Sequence, residues 1–382
     1  MNERDHSGPR EAPAPVLLMV RELGPGGSER QLAVIARALD REQFEPHVGC
    51  FRPDGIRGDE LRAAGIPILE VPVHSFASTR AFGAVRPFAR YIHERGIRLV
   101  HTFDEPMNVW GVPAARVAGV GVVLSSQRAH RELVPPLRRH MLRFTDHLTD
   151  GVVVNCLAVR RHLIEDEKVS PSLIHLCYNG IDTAAFAPER RRPDSLAAAG
   201  LTIGCVCALR PEKDLTTLAR AFAAVRHLHP DMRLVIVGSG PSLPLLRDCC
   251  HSLDLENQCV FEPATSRVAE WLGGIDIFVL PSLSEALSNA LMEAMACGCS
   301  PVATRVGGNP ELVEHGRTGF LFSPGEPEEL AAVLRTLIEN DPLRRELACA
   351  ASAKVRDNFS IEVAARRMGE IYRHFLDRRG DR

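Results

Sequence analysis

Residues 275–308 read IDIFVLPSLSEALSNALMEAMACGCSPVATRVGG, and the order of elements in this stretch decides the fold class. A short apolar run ends at Leu280, a segment of helical length follows, and a second apolar run begins at Pro301. Uninterrupted apolar runs of this length are typical of strands that are buried on both faces. A strand, a helix and a second strand in this order predict one parallel βαβ unit.

The same alternation continues along the rest of the chain. Segments of helical length separate further apolar runs at 16–20, 66–71, 98–103, 122–126, 152–156, 173–177, 203–209 and 234–237. So many units do not fit one small sheet, and we predict an α/β protein with two doubly wound domains.

The alternation is interrupted between Asp182 and Gly200. This segment has two prolines, the arginines 190–192 and no periodic apolar pattern, which is typical of an interdomain linker. The predicted divisions are a disordered tail (1–14), a first domain (15–182), a linker (183–200), a second domain (201–358) and a terminal helix with its tail (359–382).

The composition excludes several classes of protein. The formal net charge is −2, whereas a general nucleic-acid binder is normally basic. There are eleven cysteines but no C-x-x-C spacing, which argues against a disulfide framework or a zinc site. The first fifteen residues have no apolar core of signal-peptide length, and no run approaches the length of about 18 apolar residues that a spanning helix needs. We therefore expect a reduced, cytoplasmic protein that is soluble or at most peripheral to a membrane.

Ligands of open α/β sheets bind beyond the carboxyl ends of the strands, so the residues after each apolar run are site candidates. A glycine turn at 24–29 opens a helix and is suited to an anion, but a tight turn with Ser28 as the N-cap explains it equally well. The turn at 238–240 lacks the third glycine of a dinucleotide fingerprint, because Leu243 stands there. This argues against a nicotinamide cofactor.

Two cations and two carboxylates follow strands of the second domain. Arg210 and Lys213 are suited to a diphosphate, although a solvated loop with a Lys–Glu pair is the simpler interpretation of that motif alone. Glu285 lies in a strand–helix loop, and Glu293 lies about two turns into an apolar helix. A buried carboxylate needs partners, which a ribose diol would supply to Glu293 unless it faces solvent.

In this order, the motifs resemble the retaining GT-B glycosyltransferases of family 4, the glycosyl transferases group 1 type. The similarity rests on Glu285-x7-Glu293 with the following Ala-Met-Ala-Cys-Gly and Val-Gly-Gly-Asn-Pro-Glu-Leu-Val. It extends to the family's glycine loop, domain hinge, donor-phosphate segment and terminal continuation, at 26–30, 178–182, 209–213 and 311–320.

The resemblance implies a GT-B fold with two Rossmann-like domains that face each other across a cleft. The first would bind the acceptor and the second the nucleotide sugar, and the terminal helix would cross back to the first. It implies transfer of a sugar from a nucleotide diphosphate to a hydroxyl of a glycan, glycolipid or small molecule, with retention, as in polysaccharide biosynthesis. No cofactor and no metal is expected, because cations and helix N-termini take the place of Mg²⁺.

The resemblance also implies residue roles. Glu285 would contact the transferred sugar, Arg210 and Lys213 would stabilise the leaving diphosphate, and Glu293 would bind the ribose. Further donor contacts are implied for Gly26, Gly27, Leu287, Ser288, Asn289 and Ala290.

Two departures from the family pattern motivate an alternative. Many relatives have a histidine in the acceptor-side loop, at the position of Phe103 or, under the other common alignment, of Pro106, and Ala286 replaces a usual glycine. A non-catalytic protein that binds a nucleotide sugar or glycan on the same fold is therefore the second hypothesis. A sugar-nucleotide epimerase is the least favoured hypothesis, because no acid/base pair is evident.

Residues of the first domain are candidates for the acceptor side. They follow two of its strands and are His101, Asp104, Arg128 and His130. His101 is also explained as a core histidine with a satisfied ring, which we favour slightly. The basic helix at 137–147 resembles helices that dock relatives on membranes or lipid-linked acceptors, at the inner face of the cell membrane. A solvated face is the simpler interpretation of that helix.

Overall fold

The computed structural model describes residues 12–73, 83–188, 192–197, 199–229 and 231–380. Residues 1–11 of the predicted tail, residues 189–191 and 198 of the predicted linker and the last two residues lie outside this described part. The described chain forms two compact units. Unit 1 contains the residues up to 154, residues 162–177 and those from 364 onward, and unit 2 contains residues 155–161 and 178–363.

Unit 1 is built on a seven-stranded sheet with the order β3-β2-β1-β4-β5-β6-β7, in which every neighbouring pair is parallel. The order reverses between β1 and β4, as in doubly wound folds. The strands are β1 (Ala14–Glu22), β2 (Phe44–Arg52), β3 (Ile68–Glu70), β4 (Leu99–Thr102), β5 (Val122–Gln127), β6 (Gly151–Val154) and β7 (Ile174–Leu176).

Unit 2 is built on a six-stranded parallel sheet with the order β10-β9-β8-β11-β12-β13. Its order reverses between β8 and β11. The strands are β8 (Leu201–Val206), β9 (Met232–Val237), β10 (Cys259–Glu262), β11 (Ile277–Leu280), β12 (Ser300–Thr304) and β13 (Phe320–Phe322). Two parallel sheets, one in each unit, confirm the predicted α/β class with two Rossmann-like domains.

Helices connect the strands along the whole chain. The first six are α1 (Gly27–Ala38), α2 (Ile56–Ala63), α3 (Val85–Glu94), α4 (Glu105–Val117), α5 (Pro136–Asp146) and α6 (Leu157–Glu165). The next seven are α7 (Leu215–Val225), α8 (Leu243–Ser252), α9 (Val268–Gly273), α10 (Asn289–Ala296), α11 (Asn309–Leu312), α12 (Pro327–Glu339) and α13 (Asp341–Asn358). The last is α14 (Ile361–Gly380).

The terminal helix α14 packs on the sheet of unit 1. Alternate residues of β1 point to opposite faces, so Leu18 and Leu17 lie in two separate hydrophobic clusters. Met368 and Tyr372 of α14 belong to the cluster that contains Leu18. The expectation that the terminal helix returns to the first domain is confirmed.

Two further features bear on the sequence predictions. Seven of the eleven cysteines are buried and all eleven are free thiols, as the core-thiol interpretation predicts. Among the described residues, no helix has the length and apolar character needed to cross a bilayer.

Candidate active site

Lys213 and Glu285 lie together at the carboxyl edge of the second sheet. Lys213 ends a 3₁₀ turn that follows β8, and Glu285 lies in the loop after β11, the neighbour of β8 at the strand-order reversal. The Lys213 ammonium group donates a hydrogen bond to the Glu285 carboxylate. The hydroxyl of Ser282 donates a second hydrogen bond to the same carboxylate oxygen at 2.8 Å. Two motifs that are 72 residues apart therefore form one ion pair.

The pair is largely shielded from solvent. The side chain of Lys213 is 19% exposed and that of Glu285 is 11% exposed. Burial on its own lowers the pKa of Lys213, but the attraction of the Glu285 carboxylate more than compensates, so the pKa lies above its ordinary value. Lys213 is therefore a fully charged ammonium at neutral pH, and its charge is balanced by a single neighbouring carboxylate.

Arg210 opens the same 3₁₀ turn but is oriented differently. Its side chain is 64% exposed, and its guanidinium lies 3.9 Å from the carboxylate of Glu212. The turn is closed by Asp214, which has a left-handed backbone (φ 43°) and accepts a hydrogen bond from the Thr217 hydroxyl at 2.6 Å. One short turn thus presents an exposed guanidinium and a shielded ammonium at the same sheet edge.

The glycines after β12 let the chain pass directly against the Glu285 loop. A Cβ atom on Gly307 would lie 1.8 Å from the Glu285 carbonyl oxygen, and the backbone has a φ of 51° there. The N–H of Gly308 donates a hydrogen bond to the Ala286 carbonyl at 2.6 Å. Only glycine fits at Gly307, because any side chain would displace the loop that carries Glu285. Adjacent glycines shortly after a strand are a sequence signal for such a close approach of two backbone segments.

The predicted donor residues after Ala286 form the N-terminus of α10. The Ser288 hydroxyl accepts the N–H of Leu291 at 3.3 Å and caps the helix, while Leu287 is buried. The amide of Asn179 donates a hydrogen bond to the Asn289 side chain at 2.8 Å. Ala290 is half-buried in the first turn. Asn179 was not among the predicted donor residues, although it lies in the motif that resembles the family hinge.

Glu293 is buried in α10. Only 4% of the residue is exposed, so the alternative in which it faces solvent is wrong. The neighbouring Cys297 thiol has a pKa of about 12, raised by burial and then by the charge of Glu293. A buried carboxylate two turns from the Glu285 loop agrees with the predicted geometry.

The predicted anion turn of unit 1 already holds a carboxylate. Gly26 caps α1 and Gly27 is its first residue. A Cβ atom on Gly26 would lie 2.2 Å from a carboxylate oxygen of Glu29. Burial raises the pKa of Glu29. A phosphate at this helix N-terminus would therefore have to displace Glu29.

The structure places His101 in the core of unit 1. The residue has no exposed surface, and its two ring nitrogens lie 2.8 Å from the Tyr372 hydroxyl and 2.9 Å from the Ser126 hydroxyl. Burial holds the pKa of His101 well below its ordinary value, so the ring is neutral. This arrangement matches the interpretation of a satisfied core histidine, and an acceptor could reach the ring only after Tyr372 or Ser126 moves.

The other acceptor-side candidates lie at strand ends of unit 1. Asp104 caps α4 by accepting the Met107 N–H at 3.0 Å, and it also accepts the Arg21 N–H at 2.9 Å. Burial raises the pKa of Asp104 to about 7, although both hydrogen bonds favour its charged form. The carboxyl group of Asp104 therefore titrates near neutral pH.

Arg128 packs on the aromatic ring of Phe103. Its guanidinium carbon lies 4.9 Å from the centre of the Phe103 ring, and burial lowers the pKa of Arg128 to about 10. The ring of His130 contacts that of His162, with the centres 5.0 Å apart. The stacking of Arg128 on Phe103 was not predicted, since nothing in the spacing of positions 103 and 128 indicates it.

Among the described residues, one group of three side chains has the chemistry and spacing to hold a metal ion: Glu132, His162 and Asp166. Both ring nitrogens of His162 are engaged, since Nε2 accepts the Arg131 N–H at 3.2 Å and Nδ1 lies 2.8 Å from Asp166. A cation there would have to break these bonds beside the buried guanidinium of Arg131. This donor set does not favour a metal.

Comparisons with known proteins identify relatives of both units. The family model Glycosyltransferase Family 4 matches residues 25–185, and the model Glycosyl transferases group 1 matches residues 189–354. The N-acetyl-alpha-D-glucosaminyl L-malate synthase of Bacillus anthracis is 28% identical over 244 residues, which are 62% of this chain and 63% of that protein.

Another relative is the D-inositol 3-phosphate glycosyltransferase of Kineococcus radiotolerans, which is 31% identical over 258 residues, 61% of this chain and 59% of that protein. The chain therefore spans about three fifths of the length of these relatives. Among solved structures, HepE of Anabaena in complex with UDP-glucose is 25% identical, with a TM-score of 0.79 over 94% of this chain and 99% of that one.

Proposed function

We propose that the protein transfers a sugar from a nucleotide diphosphate to a hydroxyl group of an acceptor. The chain belongs to the group 1 and family 4 glycosyltransferases, and this membership supports the proposal. The observation that carries this proposal is the shielded Lys213–Glu285 pair, with the exposed Arg210 on the same turn. The relative that binds UDP-glucose supports a nucleotide-sugar donor. The names of the other two relatives support small-molecule acceptors.

In the proposed mechanism, the ion pair is exchanged when the donor binds. Glu285 balances the charge of Lys213 until a diphosphate, which carries more negative charge, replaces Glu285 as the partner of the Lys213 ammonium group. Glu285 is then released to accept hydrogen bonds from hydroxyl groups of the sugar. A charge-assisted hydrogen bond contributes about 1.5–3 kcal/mol, so each new contact is comparable to the one it replaces.

The leaving diphosphate gains charge as the bond to the sugar breaks. Arg210 is exposed and Lys213 is preorganised by Glu285, so the two cations are suited to stabilise that charge without a metal. Backbone N–H groups at the capped N-terminus of α10, from Leu287 to Ala290, would add to this stabilisation. Glu293 would hold the ribose. Retention of the anomeric configuration is part of the proposal and follows from the family resemblance alone.

The surface of α5 supports peripheral contact with a membrane. Leu137, Met141 and Phe144 are 74%, 38% and 61% exposed and recur at the spacing of one helix face. Arg138 is 52% exposed and lies 3.5 Å from the Glu105 carboxylate, and Arg139 and Arg143 pair with Glu167. An exposed apolar stripe beside an exposed cationic head fits a surface of anionic lipids better than it fits water.

The membrane proposal is tested by cosedimentation with vesicles that contain an anionic phospholipid. We expect binding that is lost in Phe144→Ser and retained in Leu245→Ser, a control with a similarly exposed leucine (64%) in unit 2. Equal binding of the two variants would contradict it.

The proposed activity is tested with a panel of UDP-, GDP- and ADP-sugars, by release of free nucleoside diphosphate and by thermal stabilisation. We expect one donor class to bind and to be cleaved slowly by water, with cleavage lost in Glu285→Gln. Glu314→Gln is the matched control, because Glu314 also pairs with a shielded lysine, Lys354, at 2.9 Å. No stabilisation by any donor would contradict the proposal.

A second candidate is a non-catalytic protein that binds a nucleotide sugar or glycan. It is favoured by Phe103, whose ring is covered by Arg128 in the place of a family histidine, and by Ala286. This candidate predicts donor binding without release of diphosphate for every acceptor tried, whereas a transferase releases diphosphate faster when its acceptor is added.

A further inference from the structure

Two cysteine thiols lie directly beneath the Lys213 turn. Cys205 is in β8, and Cys207 is one residue beyond the end of that strand. Residues two apart in a strand project to the same face, and the two sulfur atoms are 3.7 Å apart. Cys205 is fully buried, whereas Cys207 is half-buried.

The surroundings of Cys207 favour its reactive form. The Cys205 thiol donates a hydrogen bond to the Cys207 sulfur, and this bond, together with the nearby Lys213 ammonium, lowers the pKa of Cys207. The thiolate is the form of cysteine that reacts with peroxides and disulfides. The less buried thiol, Cys207, is therefore the more reactive of the two. The buried Cys205 thiol is placed to attack the Cys207 sulfur after Cys207 has been oxidised.

The backbone around Cys207 has no room to move toward β9. A Cβ atom on Gly238 would lie 1.9 Å from the Cys207 carbonyl oxygen, and one on Gly240 would lie 2.3 Å from the Leu209 carbonyl oxygen. The N–H groups of Cys207 and Leu209 are also bound to the carbonyls of 237 and 239 at 3.0 Å. Any displacement of Cys207 therefore disturbs the backbone contacts of 207–209, the segment that leads directly into the turn carrying Lys213.

A disulfide between these residues requires such a displacement. The sulfur atoms must approach from 3.7 Å to about 2.05 Å. In an extended strand, residues two apart have Cα atoms about 6.6 Å apart, at the upper end of the range that a disulfide tolerates. Closing the bond therefore bends the strand end.

We propose that Cys205 and Cys207 are an oxidation site, at which hydrogen peroxide converts the two thiols into a disulfide that displaces the turn carrying Lys213. The Cys207 thiolate attacks one oxygen of hydrogen peroxide and becomes a sulfenic acid, and the other oxygen leaves as hydroxide. The Cys205 thiol then attacks that sulfur, the S–S bond forms, and the hydroxyl group leaves as water with the Cys205 proton. Two thiols are oxidised and one peroxide is reduced.

The site itself is tested by mass spectrometry of the full chain after peroxide treatment. Trypsin releases both cysteines on one peptide, residues 192–213, which contains no other cysteine. We expect this peptide to become lighter by two hydrogen atoms and resistant to alkylation, and to revert with dithiothreitol. A peptide that stays fully alkylated under these conditions would overturn the proposal.

The effect on the Lys213 turn is tested by release of nucleoside diphosphate, and this readout rests on the proposed function. We expect peroxide to lower the rate at least about tenfold, since small misplacements of charged groups are costly, and dithiothreitol to restore it. Cys207→Ser and Cys205→Ala should both abolish the sensitivity. Cys250→Ser should keep it, because it removes a different pair, Cys250 and Cys259, with the same 3.7 Å separation.

The outcomes separate the two proposals. A disulfide in the 192–213 peptide that leaves donor binding and turnover unchanged would contradict the displaced turn. Sensitivity that persists in both Cys207→Ser and Cys205→Ala would contradict the assignment of the site. A reduced protein that binds and cleaves no nucleotide sugar counts against the proposed function instead, and the peptide mass still decides whether the pair is oxidised.

Discussion

Replacing Lys213 by methionine separates its proposed role in catalysis from its role in stability. Lys213→Met keeps the length of the side chain and removes the ammonium that faces Glu285. A cation that stabilises developing charge in a shielded site contributes about 2.7–4 kcal/mol to the transition state, or about 100- to 1000-fold in rate. We expect diphosphate release to fall by that factor, mainly through kcat.

The same substitution leaves Glu285 with one remaining side-chain hydrogen bond, from Ser282. Because the carboxylate is shielded but not sealed from solvent, we expect a loss of about 1–3 kcal/mol in the free energy of unfolding. At about 2–4 °C per kcal/mol for a unit of this size, calorimetry should show a modest fall in Tm. The double variant Lys213→Met/Glu285→Gln should recover part of this Tm, since no lone charge remains, but none of the activity.

The pH dependence of the pair has a defined sign. The folded pKa of Lys213 is raised, so the pair contributes its full stability at neutral pH and loses it only as the pH rises past the ordinary lysine value of about 10.4. Wild type and Lys213→Met should therefore differ in Tm at pH 7 and converge in strong alkali. Activity of Lys213→Met within about twofold of wild type would refute the assigned role.

Three further outcomes are expected. Asp146→Asn should cost about 3–5 kcal/mol in the free energy of unfolding by denaturant, because the buried Arg131 guanidinium loses a partner bound at 2.6 and 2.8 Å. Gly307→Ala should abolish donor cleavage, since its Cβ would overlap a carbonyl oxygen, whereas Gly316→Ala, with φ 77° and open space, should cost stability alone. Asp104 has a raised pKa of about 7, so the Tm of the wild type should fall as the pH rises from 4 to 7. Asp104→Asn should remove this decline, and Tm curves of the two proteins that run parallel over this pH range would contradict the assignment.

Much of the fold could be predicted because buried parallel strands leave uninterrupted apolar runs. The runs at 98–103 and 122–126 correspond to β4 and β5 within a residue or two. Strand β2 was missed, because Glu45, Pro46 and His47 interrupt its apolar pattern. The edge strand β10 was also missed, since an edge strand is less completely buried and its four residues leave a short signal.

The residues that meet at the carboxyl edge of the second sheet could be predicted, but not all of their contacts. The motif order indicates Lys213 and Glu285 separately, and their ion pair follows only from the adjacency of β8 and β11 in the sheet. The close approach at Gly307 was predictable, because paired glycines in a turn after a strand are typical of places where two backbone segments come into direct contact. The occupation of the α1 N-terminus by Glu29 was not, since it depends on a side-chain conformation rather than on spacing.

The most direct test of the donor site uses the lysines themselves. The chain has three lysines, Lys168, Lys213 and Lys354, so acylation of each can be followed by mass spectrometry. If Lys213 binds the diphosphate, the nucleotide sugar that stabilises the protein should slow acylation of Lys213 and leave Lys168 and Lys354 unchanged. Equal acylation of Lys213 with and without that nucleotide sugar would contradict the proposal that Lys213 binds the diphosphate.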